Sequence, residues 1–141
     1  MTLEKKELLI WTTTYDDGSV EEEYQYYLNP ENNERVKDGS YNSYHRNGNY
    51  DFVGRYEEDN RDGEWIGYYE SGKVRFESNY ADGKLEGKVF RYYESGGVKQ
   101  EENFVDDKAE GKVVKYDEDG NITDEYIYKD GKCVEMCEED E

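Results

Sequence analysis

The sequence is poor in the residues that organise chemistry: one histidine, two cysteines, one proline and two methionines among 141 residues. The histidine, His45, lies far along the chain from both cysteines, so no zinc set can be completed. Cys133 and Cys137, with no second pair, read as reduced bystander thiols. Cations are scarce as well. Lys and Arg number 18 against 37 Asp and Glu, a formal net charge of -19. Such a field repels nucleic-acid phosphates and anionic lipid surfaces and speeds the approach of basic partners. Nucleic acid and anionic membranes are disfavoured as partners, although acidity also serves plain solubility. The N-terminal stretch has four apolar residues in a row, Leu8 to Trp11. That is too few for a signal peptide or a spanning helix, so a cytoplasmic location is expected.

Charged residues at 39%, hydrophobic ones at 33% and a mean hydropathy of -1.30 would by themselves suggest disorder. The aromatics argue otherwise. Sixteen Tyr, four Phe and two Trp are large, order-seeking side chains. Tyrosine, with an apolar ring and a wet hydroxyl, suits a thin structure whose core is never far from water.

Spacing explains how such a chain can fold. Gly39, Gly63, Gly87 and Gly111 recur every 24 residues, and Gly48, Gly72, Gly96 and Gly120 keep the same step. Tyr44, Tyr68, Tyr92 and Tyr116 run in register, as do Tyr56, Tyr80, Phe104 and Tyr128. These columns define a repeat protein. The reading is a single repeat domain over 1–141. A degenerate first repeat occupies 9–37, with an inserted loop around "NPENNE". A four-repeat array covers 38–132. The rest, 133–141, is an acidic tail expected to be disordered.

Within a copy, the second glycine sits in "RNGN", "ESGK", "ESGG" or "EDGN" between runs rich in Tyr, Val, Ile and Phe, which is a hairpin signature. Two- and three-residue loops are both open, and they differ in which side chains share a face. A three-residue loop, Glu70-Ser71-Gly72 with Gly72 left-handed, sorts the residues better. It sets Ile66, Tyr68, Val74, Phe76 and Tyr80 on one side and Arg75, Glu77 and Asn79 on the other. The expected fold is all-β, an elongated single antiparallel meander of stacked hairpins joined by longer links such as "ADGKLEG". At about 4.8 Å per strand, five copies extend roughly 50 Å. Glu77, Glu101 and Glu125 then form a column at about 10 Å intervals, near the Debye length, where their repulsion is tolerable.

The segments "EGKVFRYYESGGVK" and "DGEWIGYYESGKVR" resemble the MORN repeat (membrane occupation and recognition nexus). The likeness is closest to its bacterial variant, in which "YY-x-x-G-x-V/L" is followed by "Y-x-D-G-K-x-x-G"; "NYADGKLEG", from Asn79 to Gly87, fits that second half best. The resemblance covers Asp38 to Lys132 well and Trp11 to Lys37 poorly. It implies a curved sheet used as a binding platform. Bacterial members of the variant group are often described as antitoxins or immunity proteins beside secreted toxins, and eukaryotic ones mostly as scaffolds. The family brings no catalytic residues to carry over.

A search for chemistry finds none. His45 stands where other copies have Tyr69, Tyr93 or Asp117, and the sequence offers it no oriented nucleophile. "DEDGN" is a turn and not a calcium loop, because Tyr128 stands where the bidentate acid would be needed. No glycine-rich phosphate loop precedes a helix. The expectation is a non-catalytic protein without cofactor that binds a basic protein partner, most specifically an antitoxin or immunity protein occluding a toxin. The alternative is a general scaffold, self-associating through its terminal strands. The tyrosine-rich side either packs along its own columns or offers a groove to a partner, and the two are compatible. Tyr68, Tyr92, Tyr116, Glu77 and Glu101 are the candidate contact residues, bordered by acids on the links from Glu57 to Glu110.

Overall fold

Every strand begins or ends at one of the punctuating turns, and nothing between them is long enough for a helix. The computed structural model describes residues 6–137. Hairpins form from β1 (Leu9–Thr14) with β2 (Val20–Leu28), and from β3 (Arg35–Tyr44) with β4 (Tyr50–Glu57). The next is β5 (Asn60–Tyr68) with β6 (Val74–Ala81). A short β7 (Lys84–Leu85) leads into β8 (Gly87–Tyr92) and β9 (Val98–Val105), and a short β10 (Lys108–Ala109) into β11 (Gly111–Tyr116) and β12 (Ile122–Lys129). β13 (Lys132–Glu135) closes the array. Among the described residues the thirteen strands form one antiparallel sheet, eleven of them in chain order, with β7 paired to β6 and β10 to β9 off that path. Residues 138–141 of the acidic tail lie outside the described residues.

The three-residue loop is what forms. In the third hairpin the Gly72 N–H donates to the Tyr69 carbonyl at 2.9 Å and the Tyr69 N–H to the Lys73 carbonyl at 2.8 Å, with Gly72 at φ 93°. The same pair of bonds recurs at Tyr15, His45, Tyr93 and Asp117. An L side chain would strain the left-handed position, and this is what the second glycine column spares.

The links differ from expectation. "ADGKLEG" is itself a tight hairpin: Ala81 pairs with Lys84 across the two-residue turn Asp82-Gly83, at φ 50° and 81°. Two consecutive left-handed residues are the mark of the hairpin turn that matches strand twist. Glu58-Asp59, Asp106-Asp107 and Asp130-Gly131 repeat it. In the first repeat the six residues Asn29 to Glu34, between the paired Leu28 and Arg35, replace that turn.

A second difference is the more consequential one. Tyr68 pairs with Val74, but Gly67 pairs with Phe76, so Arg75 is an extra residue in β6. Equivalent shifts leave Glu21, Asp51, Lys99 and Thr123 extra in the other returning strands, β2, β4, β9 and β12. Such a bulge bends the strand and reverses the side-chain alternation beyond it. The expected face sets are therefore corrected. Phe76 and Tyr80 leave the side of Ile66 and Tyr68 for that of Trp65, and Glu77 and Asn79 move the other way.

What results is one packed and one open face. Tyr24, Trp65, Val89, Val113 and Tyr126, with the buried Ser43 and Ser78, lie on the packed face; among the described residues Val114 is the one buried hydrophobic residue of the other. Trp65, 2% exposed, sits among Tyr41 and Tyr56, both at 5.2 Å, and Tyr80 at 6.3 Å. Its indole N–H donates to the Arg55 carbonyl at 3.0 Å. A single sheet thus obtains its dry centre from tilted and edge-on rings instead of a second layer.

The candidate binding face

Because of the bulge, all five candidate residues stand on one face. Ile66 and Tyr68 project from β5 to the open side, and Glu77 is the cross-strand partner of both Ile66 and Phe90. Glu101 likewise sits between Phe90 and Val114, and Tyr92 and Tyr116 follow Phe90 and Val114 two residues along their strands. The Tyr92 hydroxyl donates to Glu77 Oε2 at 3.1 Å across the boundary between two repeats. Burial first, and then the Glu77 carboxylate, hold the Tyr92 phenol above its ordinary pKa. Glu101 has Lys88 Nζ at 3.4 Å, and Glu125 has Lys112 Nζ at 3.2 Å. At one end of this face, rings line up from Tyr44 through Tyr50, 5.2 Å away, to Tyr68, a further 6.0 Å on. The face therefore alternates aromatic and acidic rows, each repeat offering one more of each.

Both long edges of the ribbon are bound repeat to repeat, by groups that a reading of the sequence assigns elsewhere. Along the glycine-turn edge, Tyr15, Tyr69 and Tyr93 donate their hydroxyls to the carbonyls of Tyr44, Tyr92 and Tyr116 at 2.6, 2.5 and 2.7 Å. His45 takes this role in its own repeat, with Nε2 2.9 Å from the Tyr68 carbonyl and 3.5 Å from Asp51 Oδ1. It stands in for a tyrosine hydroxyl. On the opposite edge, Asp38, Glu86 and Glu110 accept the backbone N–H of Glu58, Asp106 and Asp130 at 3.1, 3.0 and 2.8 Å. Asp59 and Asp107 accept from the Lys37 and Leu85 N–H groups at 2.8 and 2.6 Å. Much of the acidic border is thus structural: these carboxylates tie each link turn to its neighbour through charge-assisted bonds. Its signal was in the sequence, as an acid immediately before each first-series glycine.

The cysteines correct another expectation. Cys133 and Cys137 are bonded to one another, with Cα atoms 5.8 Å apart, and are not free thiols. Among the described residues, no three His, Cys, Asp or Glu side chains converge as a metal centre requires.

A one-layer ribbon with interlocked copies, one face packed and one open, is the architecture of a repeat platform. Residues 61–82, 85–106 and 109–130 match the MORN repeat variant, so this stretch consists of three consecutive MORN variant repeats. Repeats of this kind generally mediate protein interactions, which makes the chain a protein-binding scaffold at the coarse level. A comparison with curated proteins finds no match.

Proposed function

We propose that the protein is a non-catalytic, cytoplasmic binding ribbon, and most specifically an antitoxin or immunity protein that neutralises a basic toxin by covering its active surface. The observation that carries this reading is the gathering of Tyr68, Tyr92, Tyr116, Glu77 and Glu101 on the open face. Tyrosine supplies contact area at little entropic cost, and the acids select a cationic partner within a field of -19. The test is co-expression with the product of a neighbouring gene that is toxic by itself. Relief of toxicity by the wild-type chain, lost when Tyr68, Tyr92 and Tyr116 are changed together to Ser, supports the reading. Unrelieved toxicity, or relief that survives that triple change, refutes it.

A second reading, a scaffold that associates with itself end to end, draws on the outer edge of β1, which no further strand covers among the described residues. Ile10 is 64% exposed there, beside Leu9 and Trp11, and an unpaired apolar edge is a template for another strand. Sedimentation at increasing concentration decides the matter. Salt-insensitive oligomers favour the scaffold, and a monomer at every concentration removes it.

A further inference from the structure

The packed face carries a second device, visible only when repeats are laid over one another. Lys37, Arg61, Leu85, Ala109 and Cys133 occupy one column, 24 residues apart, and Tyr41, Trp65, Val89, Val113 and Cys137 occupy the column four residues on. At the first two positions of these columns the pair is a cation over rings. Lys37 Nζ lies 4.9, 5.7 and 5.0 Å from the Tyr24, Tyr41 and Tyr56 ring centres. The Arg61 guanidinium carbon is 4.9 Å from the Trp65 ring and 5.5 Å from that of Tyr80. In the later repeats the cation is gone and its slot shrinks to Ala109, while the bulky ring beside it shrinks to Val113.

The rings return nonetheless, as Tyr126 and Tyr128, and they line with Glu102, Val113 and the Cys133–Cys137 bond a groove of about 490 Å³. Glu102, its side chain 15% exposed, accepts from Gln100 Nε2 at 2.5 Å and has Arg91 Nε at 3.7 Å. A carboxylate has about four lone-pair sites, so these two neighbours leave room for another donor. Lys115 Nζ stands 5.3 Å from the Tyr126 ring. Among the described residues no cation stands over Tyr128.

We infer that this groove is the vacated copy of the slot that Lys37 and Arg61 fill, and that it receives an arginine side chain supplied by the partner protein. The guanidinium would lie on the Tyr128 ring and donate to Glu102, as Arg61 lies on Trp65 and donates to the Tyr80 hydroxyl at 3.2 Å. The source of that side chain rests on the proposed basic partner; the chemistry of the groove does not.

The test uses the full chain and Nα-acetylarginine amide as the probe, followed by two-dimensional NMR, with the neutral isostere Nα-acetylcitrulline amide in parallel. Shifts focused on Glu102, Val113, Tyr126 and Tyr128, and weaker for citrulline by roughly five- to tenfold, are expected, the span of a cation–π contact with a partly buried carboxylate. Ala109→Arg refills the slot from within and should abolish those shifts in a chain that still melts cooperatively. Glu102→Gln, which keeps shape, should weaken them to the citrulline level. Shifts spread evenly over the acidic edge, equal response to citrulline, or focused shifts that persist in both variants would overturn the inference. Loss of toxin relief in the open-face variant tests the other surface, so the two failures are distinct.

Discussion

The Arg61 guanidinium carbon lies 4.9 Å from the centre of the Trp65 ring, and three repeats later the same two positions hold Cys133 and Cys137, joined as a disulfide. Two unrelated chemistries thus clasp the same corner of the repeat. The corner is where the link hairpin meets the next strand, and a shift in register brings residues i and i+4 together on one face. In a straight strand, four residues would separate them by about 13 Å.

The disulfide is therefore expected to secure only the last strand. It closes a loop of five residues, worth about 2 kcal/mol in the chain-entropy account. Cys133→Ser with Cys137→Ser should speed amide exchange in β13 and leave β1 to β9 unchanged. Loss of protection throughout the sheet would show that the clasp carries the whole array.

Gly54 has an ordinary φ, yet a Cβ placed on it would come within 2.2 Å of the Trp65 ring. Overpacking of this kind costs about 1–3 kcal/mol. Gly54→Ala should lower the melting temperature by several degrees and shift the Trp65 fluorescence. Gly54→Ala combined with Trp65→Phe should recover part of that loss.

The tyrosine column along the glycine-turn edge makes a paired prediction. Tyr93→Phe removes a hydroxyl bonded to the Tyr116 carbonyl at 2.7 Å, a loss of about 1 kcal/mol in urea unfolding. His45→Tyr, restoring the residue of the neighbouring copies, should match or exceed wild-type stability. His45→Ala should fall below it.

How much of this was legible beforehand varies with the device. The second glycine column announced the three-residue loops, because only glycine sits easily at φ near 90°. Asp82-Gly83 and Asp130-Gly131 carried the two-residue hairpin signal, but Glu58-Asp59 and Asp106-Asp107 obscured it in the alternate copies. The bulge had no signal. Its extra residues are Glu21, Asp51, Arg75, Lys99 and Thr123, which share nothing but polarity, and counting parity along a strand assumes an unbroken pleat. That is why a parity count sets Glu77 on the side opposite Tyr68, where the bulge places both on one face. His45 and the link acids gave a column position without a partner, and a partner one repeat away emerges only from register.

Alkaline pH should unfold the ribbon earlier than its acids alone would suggest. Burial raises the phenols of Tyr24, Tyr41, Tyr44 and Tyr92 above the ordinary value of about 10; for Tyr41 the bond to the Glu22 carboxylate adds to the effect. The folded state holds these protons more tightly than the unfolded chain. Their contribution is complete below pH 10 and is lost as pH rises through the folded-state values. Urea midpoints should be level from pH 7 to about 9 and fall above 10. Tyr41→Phe should start lower and fall less steeply.

The relation on which the binding face depends is the adjacency of Tyr92 and Glu77, and a NOESY spectrum of the full chain measures it directly. Cross-peaks should join the Tyr92 ring protons to the Glu77 side chain, with none joining Tyr92 to the Phe76 ring. Contacts from Tyr92 to Phe76, with Glu77 silent, would mean that the strands run without the bulge and that the five residues do not share a face.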